Sequence, residues 1–200
     1  MFLLTRKSPF GLLIIAICVA MVSCIPDTGI DPVLDQEIES EMNVESWDEN
    51  PVANLKMDPE TLRLLSALRE STSQFHQFQW ALDAGFEMGS HCVEIPGLGE
   101  MGYHYVNFPG IFGEYDPSMP QALLYEPMKN GKMRLVGVEF VLDKATWDAA
   151  NEEPPFFGSR EFDFDNAIAL PFPNYQLHIW IWKNNPSGIF EKFNPTVSCQ

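Results

Sequence analysis

Residues 175–183, Tyr-Gln-Leu-His-Ile-Trp-Ile-Trp-Lys, alternate with a period of two. Tyr175, Leu177, Ile179 and Ile181 fall on one side; Gln176, His178, Trp180 and Trp182 fall on the other. Only extended backbone sends successive side chains to opposite faces. The run therefore reads as a β-strand, closed by the turn signal Asn184-Asn185-Pro186. Its aliphatic side is core. Its other side sets one imidazole between an amide and two indoles, an unusual surface to bury.

Three earlier stretches carry the same period. Over residues 101–108, Gly102, His104, Val106 and Phe108 share a face against Tyr103, Tyr105 and Asn107. Residues 121–127 make a short strand with Glu126 near its end, and Asn130-Gly131 reads as a hairpin turn because both residues tolerate positive φ. Over residues 133–142, Arg134, Val136, Val138, Phe140 and Leu142 alternate against Leu135, Gly137, Glu139 and Val141. Ahead of these strands the period changes. Leu64, Leu65, Leu68, Phe75, Phe78 and Leu82 recur at helical spacing. Asp58 supplies an N-cap, Pro59 the first position and Gly85 the stop, so the spacing predicts one long helix over 58–84. Residues 86–120 and 143–174 are rich in Gly and Pro, and the second stretch reads as a lid or wall over the sheet. The expected fold is α+β: one long helix packed on an antiparallel sheet of four or more strands, with long Pro/Gly-rich loops, over residues 58–200. Hydrophobic content of 46% is enough for such a core.

The first 23 residues read as a lipoprotein signal peptide. Arg6 and Lys7 precede an apolar run from Phe10 to Val22 that is short for a membrane span. Met21-Val22-Ser23-Cys24 resembles the bacterial lipobox, which implies cleavage before Cys24 and lipidation of its thiol. A plain secretory signal or an uncleaved anchor is the alternative. Residues 24–57 are dominated by Asp and Glu with little apolar content and read as an acidic, disordered tether. These features place the chain in a bacterial cell envelope, lipid-anchored, at the outer membrane or cell surface, with the membrane as its first partner. The net charge of −16 argues against nucleic acid, whose phosphates would be repelled.

There are four cysteines. Cys18 leaves with the signal and Cys24 takes the lipid. Cys92 and Cys199 remain as an even pair in an oxidising compartment, which predicts a disulfide between them; two free thiols are the alternative.

Dinucleotide, P-loop, nucleophile-elbow, His-Glu-x-x-His and Cys-x-x-Cys signatures are all missing from the sequence. The candidate chemistry is dispersed. His104, Glu126, Glu139 and His178 each lie in an expected strand. Glu139 interrupts an otherwise apolar run, and a buried carboxylate is costly unless paired or metal-bound. His104, Glu139 and His178 are candidate ligands for a divalent transition metal, since imidazole and carboxylate suit Zn²⁺, Fe²⁺, Mn²⁺ or Cu²⁺. Gly137, on the Glu139 face, is expected to leave room for a ligand. Glu126, Trp180 and Trp182 are candidates to line a pocket for a small-molecule or protein ligand, with core packing as the alternative for the indoles. A buried hydrogen-bonded network is the alternative for the polar groups, since such clusters are often structural.

The segments Met101-Gly-Tyr-His-Tyr-Val-Asn107, Leu123-Leu-Tyr-Glu-Pro127, Leu135-Val-Gly-Val-Glu139 and His178-Ile-Trp-Ile-Trp-Lys-Asn-Asn-Pro-Ser-Gly-Ile-Phe190, with the closing Asn194-Pro-Thr-Val-Ser-Cys199, carry a resemblance. From about Ala81 to Cys199 the chain resembles a family of uncharacterised bacterial secreted proteins and lipoproteins. The resemblance implies one coherent domain and no particular reaction. Three functions stay open at this point: a ligand-binding or interaction lipoprotein, a metal-dependent enzyme using the His/Glu set, and a structural envelope lipoprotein.

Overall fold

A computed structural model describes residues 57–200. The signal peptide, Cys24 and the acidic tether lie outside the described residues, apart from Met57. The chain opens on helix α1, Pro59–Thr72. Asp58 caps it by accepting from Thr61 N at 2.9 Å, and also accepts from the Thr61 and Ser159 hydroxyls. Those bonds, Ser159 first, hold the Asp58 carboxyl well below the ordinary carboxylate range. Leu64, Leu65 and Leu68 form the buried stripe.

The single long helix expected over 58–84 is not formed. α1 ends at Thr72, a 3₁₀ turn spans Ser73–His76, and a short helix α2 follows at Phe78–Asp83. The reason lies in three consecutive hydroxyl residues. Ser71 and Thr72 both donate back to Leu68 O, and Ser73 donates to Glu70 O, so side chains compete for the carbonyls that the helix needs. The break also frees Phe75 O, which in an unbroken helix would accept from the amide four residues on. Here it accepts instead from the buried Tyr125 hydroxyl at 2.7 Å. Gly85, at φ +88°, stops α2 as expected, and Phe86 N closes the end on Ala81 O.

Six strands form the main sheet: β1 (Glu87–Ser90), β2 (Tyr103–Val106), β3 (Ala122–Pro127), β4 (Met133–Asp143), β5 (Asp163–Asn166) and β6 (Pro173–Ile179). Their order is β1-β2-β3-β4-β6-β5, with every pairing antiparallel. The fold is therefore α+β, and the four strands expected from the alternation are all present. The edge strands β1 and β5 carry no clean period-two signal. Two short ribbons, Glu94–Ile95 with Gly99–Glu100 and Phe156–Phe157 with Arg160–Glu161, decorate the sheet.

One face of the sheet packs on the helices. Leu123, Tyr125, Val138, Phe140, Leu142, Leu177 and Ile179 meet Leu64, Leu65, Leu68 and Phe75 there. The 143–174 excursion adds Phe157 and Phe162 to the same core. The opposite face is thinner. Val106, Ile111, Ala122 and Val141 make one small cluster on it, and Leu124, Val136, Trp180 and Val197 another.

Two local irregularities revise the expected faces. In β4, Tyr125 pairs with Leu135 and Leu124 with Gly137, so Val136 is an extra residue. This bulge turns Leu135 into the helix-side core and Val136 to the far side, the reverse of strict alternation. In β6 the ladder ends at Ile179 rather than at Lys183. Trp180 N donates to Ile189 O and Trp182 N to Val136 O, and the break carries Trp182 to the helix side. Cys92 and Cys199 are joined by a disulfide across 107 residues, with Cα atoms 6.2 Å apart. No helix among the described residues is long and apolar enough to cross a membrane.

Candidate metal centre

His104 on β2, Glu139 at the middle of β4 and His178 on β6 all point to the thinner face. The register explains the meeting. His178 is the direct cross-strand partner of Glu139. His104 pairs with Leu124, which pairs with Gly137, two residues from Glu139 and so on the same face. One ligand atom from each of the three lies within 4.8 Å of the others. His104 Nε2 is 3.5 Å from Glu139 Oε2 and 3.5 Å from His178 Nε2, while His178 Nδ1 is 3.5 Å from Glu139 Oε1. All three residues are buried.

These separations are informative. Good hydrogen bonds between such groups fall at about 2.7–3.2 Å, and 3.5 Å is the outer limit. Two ligands on a tetrahedral zinc-type ion with bonds of about 2.1 Å lie about 3.4 Å apart. The contacts use both nitrogens of His178 and both oxygens of Glu139, each at the outer limit for a hydrogen bond. One donor atom from each residue converges on a common space that an ion would fit.

A surrounding layer orients the three groups. Ser90 Oγ lies 3.0 Å from His104 Nδ1, across the pairing that a bulge at Gly89 sets. With Nδ1–H donating to Ser90, His104 presents the Nε2 lone pair to the centre. The Gln176 amide, with its NH₂ towards the site, donates to Glu139 Oε1 at 3.2 Å and accepts from Lys192 Nζ at 2.8 Å. Asp165 is buried close by and accepts from Ile168 N at 2.7 Å.

Electrostatics without an ion are those of a neutral cluster. Burial, helped by the Asp165 charge and opposed by Lys192, raises the Glu139 carboxyl to about 8. Burial lowers His104 to about 4, against a backbone bond at Gly102. Burial, His104 and Lys192 together hold His178 well below the ordinary imidazole value. Near neutral pH the site thus offers two neutral imidazoles, ready to ligate, and a protonated carboxyl that must lose its proton to do so.

The remaining candidates lie elsewhere. Glu126 is buried away from the histidines, paired with Arg134 and with Lys183 Nζ at 2.5 Å, and accepts from Ser198 N at 3.2 Å. Burial pushes its carboxyl up, but Lys183, Arg134 and Ser198 N together bring it below the usual range. Trp180 is fully buried on the site face, its ring centroid 6.4 Å from that of His178, and its indole donates to Glu191 O at 2.5 Å. Trp182 packs on α1 and the 3₁₀ turn, edge-on to His76 at 4.3 Å, beneath Arg69 at 5.0 Å, and donates to Thr72 Oγ1. Gly137 leaves no ligand space. A Cβ there would sit 3.0 Å from Ile179 O, 3.1 Å from the Trp180 ring and 3.2 Å from Leu124.

Sequence reasoning missed Ser90, Lys192 and Asp165. Gln176 was readable as the residue sharing the His178 face. Nothing local marks Lys192, which reaches the site only because the chain turns back after β6. The chain matches no family model, no curated protein and no solved structure.

Proposed function

We propose that this is a lipid-anchored envelope protein whose folded domain holds one divalent transition-metal ion between His104, Glu139 and His178. The observation that carries the reading is the convergence of three buried ligand residues, one donor atom from each lying within 4.8 Å of the other two. The centre is enclosed by sheet and packed side chains, and Trp180 and Leu124 fill the space beside Gly137. Three protein ligands leave the fourth tetrahedral position to water, and burial of that position favours holding an ion over admitting an organic substrate. Lipidation at Cys24, implied by the lipobox-like Met21-Val22-Ser23-Cys24, would fix the domain at the envelope through the acidic tether.

The test is titration of chelator-treated mature domain with Zn²⁺ and Co²⁺, read by calorimetry and by the visible d–d bands of cobalt. One ion per chain is expected, with proton release that grows below pH 8. His104→Ala and His178→Ala should each abolish stoichiometric binding. Failure of the parent domain to take up either ion would overturn the reading.

A further inference from the structure

The segment after β6 returns across the site face. Trp180 N donates to Ile189 O and its indole to Glu191 O, so the return begins beside His178. Lys192 reaches Glu139 through the Gln176 amide. Val197 is buried against Leu124, Val136 and Trp180, and Leu124 is the cross-strand partner of His104. Residues 191–199 therefore lie against the centre as a strap.

The strap is fastened at its far end to one ribbon. Glu100 and Asn194 exchange both backbone bonds, at 3.2 and 3.1 Å. Glu100 Oε2 also accepts from Cys199 N at 2.6 Å. Gly99, at φ +109°, lets the strap pass close, since a Cβ there would meet the Asn194 and Pro195 backbone at 2.5 Å. Cys92, just before the ribbon, binds Cys199 covalently. Beyond this, Cys199 is only partly buried against the Leu124, Val136, Trp180 and Val197 cluster, and Ser198 N donates to Glu126 Oε2 at 3.2 Å. The covalent bond is the one fastening of this segment, among the described residues, that local opening cannot undo.

We propose that the Cys92–Cys199 disulfide is a redox-sensitive latch on the metal centre, keeping the strap closed and the ion kinetically trapped. The inference rests on the metal-binding reading above. Opening the latch takes two electrons and two protons from a dithiol, which leaves as its own disulfide, and gives two thiols and a strap free to lift. Local opening then exposes His178 and Glu139 to water and to competing ligands.

Reduced Cys92 and Cys199, with Glu100, would form a ligand set of their own. The primary test is therefore the Cys92→Ser/Cys199→Ser double variant rather than a reductant. Both proteins are loaded with Co²⁺, freed of excess ion and mixed with excess EDTA, and loss of the cobalt spectrum is timed. Release is expected to be at least about tenfold faster from the variant, because an unlatched strap opens locally far more often. Amide exchange gives a second readout, independent of how well the variant folds. In the oxidised parent protein the amides of Asn194, Thr196 and Val197 should be protected, and brief phosphine reduction should deprotect them while 138–141 stay protected. Equal release rates, or unchanged protection on reduction, would overturn the latch and leave the metal centre standing. Uptake of cobalt by neither protein would overturn the metal centre itself.

Discussion

Replacing Glu139 with Gln should remove the alkaline loss of stability in the metal-free protein. The carboxyl titrates at about 8 in the fold against an ordinary value of 4.5. A raised folded-state value means that the unfolded chain gives up its proton first. Stability is then fully present below 4.5, falls as pH rises from there, and is lost once pH passes about 8. At about 1.36 kcal/mol per pKa unit, the loss is about 5 kcal/mol, and local opening of the site reduces it. A glutamine keeps the shape and cannot ionise. Near pH 4.5 the two proteins should differ by about 1 kcal/mol or less. Above pH 8 the variant should be the more stable by several kcal/mol. The histidines, lowered by burial, weaken both proteins as pH falls below 6.5, and this contribution cancels in the difference. Urea denaturation with EDTA present, across pH 4.5–9, measures the difference directly. A difference that stays flat, or that grows in favour of the parent with rising pH, would mean that Glu139 is ionised in the fold by Lys192. That result would refute the neutral-cluster argument. Added Zn²⁺ should narrow the gap above pH 8, since an ion at a hundred times its dissociation constant contributes about 2.7 kcal/mol to the parent and little to the variant.

Two further substitutions check the packing. Gly137→Ala should cost about 1–3 kcal/mol by chemical denaturation, since its Cβ would press on Ile179 O and the Trp180 ring. Ala167→Gly should raise stability by up to about 1 kcal/mol, because Ala167 sits at φ +58° on an exposed turn.

The sheet and the site were legible to different depths, for physical reasons. Period-two alternation in 101–108, 133–142 and 175–183 is a direct projection of the pleat, so strands β2, β4 and β6 and the meeting of His104, Glu139 and His178 could be read before any coordinates. Glu139 announced itself by interrupting an apolar run. The bulge at Val136 could not be read, since one extra residue in a continuous apolar strand changes no local propensity. It is what moves Leu135 and Val136 to the opposite faces. The helix break was written in Ser71-Thr72-Ser73, but the competing Tyr125 hydroxyl comes from fifty residues away. Trp182 misled for a similar reason. It continues the alternation in sequence, while its backbone has already left the ladder for Val136 O. Lys192 and the strap depend on a reversal of direction that only tertiary packing specifies.

Glu139 sits near the middle of β4, an eleven-residue strand hydrogen-bonded to neighbours on both sides. The Cα of a carboxylate so mounted cannot shift without tearing two ladders, which leaves only side-chain rotation to adjust the site. The frame is therefore dictated by backbone and not by the guest, and discrimination should follow ionic radius and donor type. Small tetrahedral ions would suit this frame, whereas calcium, which wants six to eight oxygens at about 2.3–2.6 Å, would meet two imidazoles and a single carboxyl.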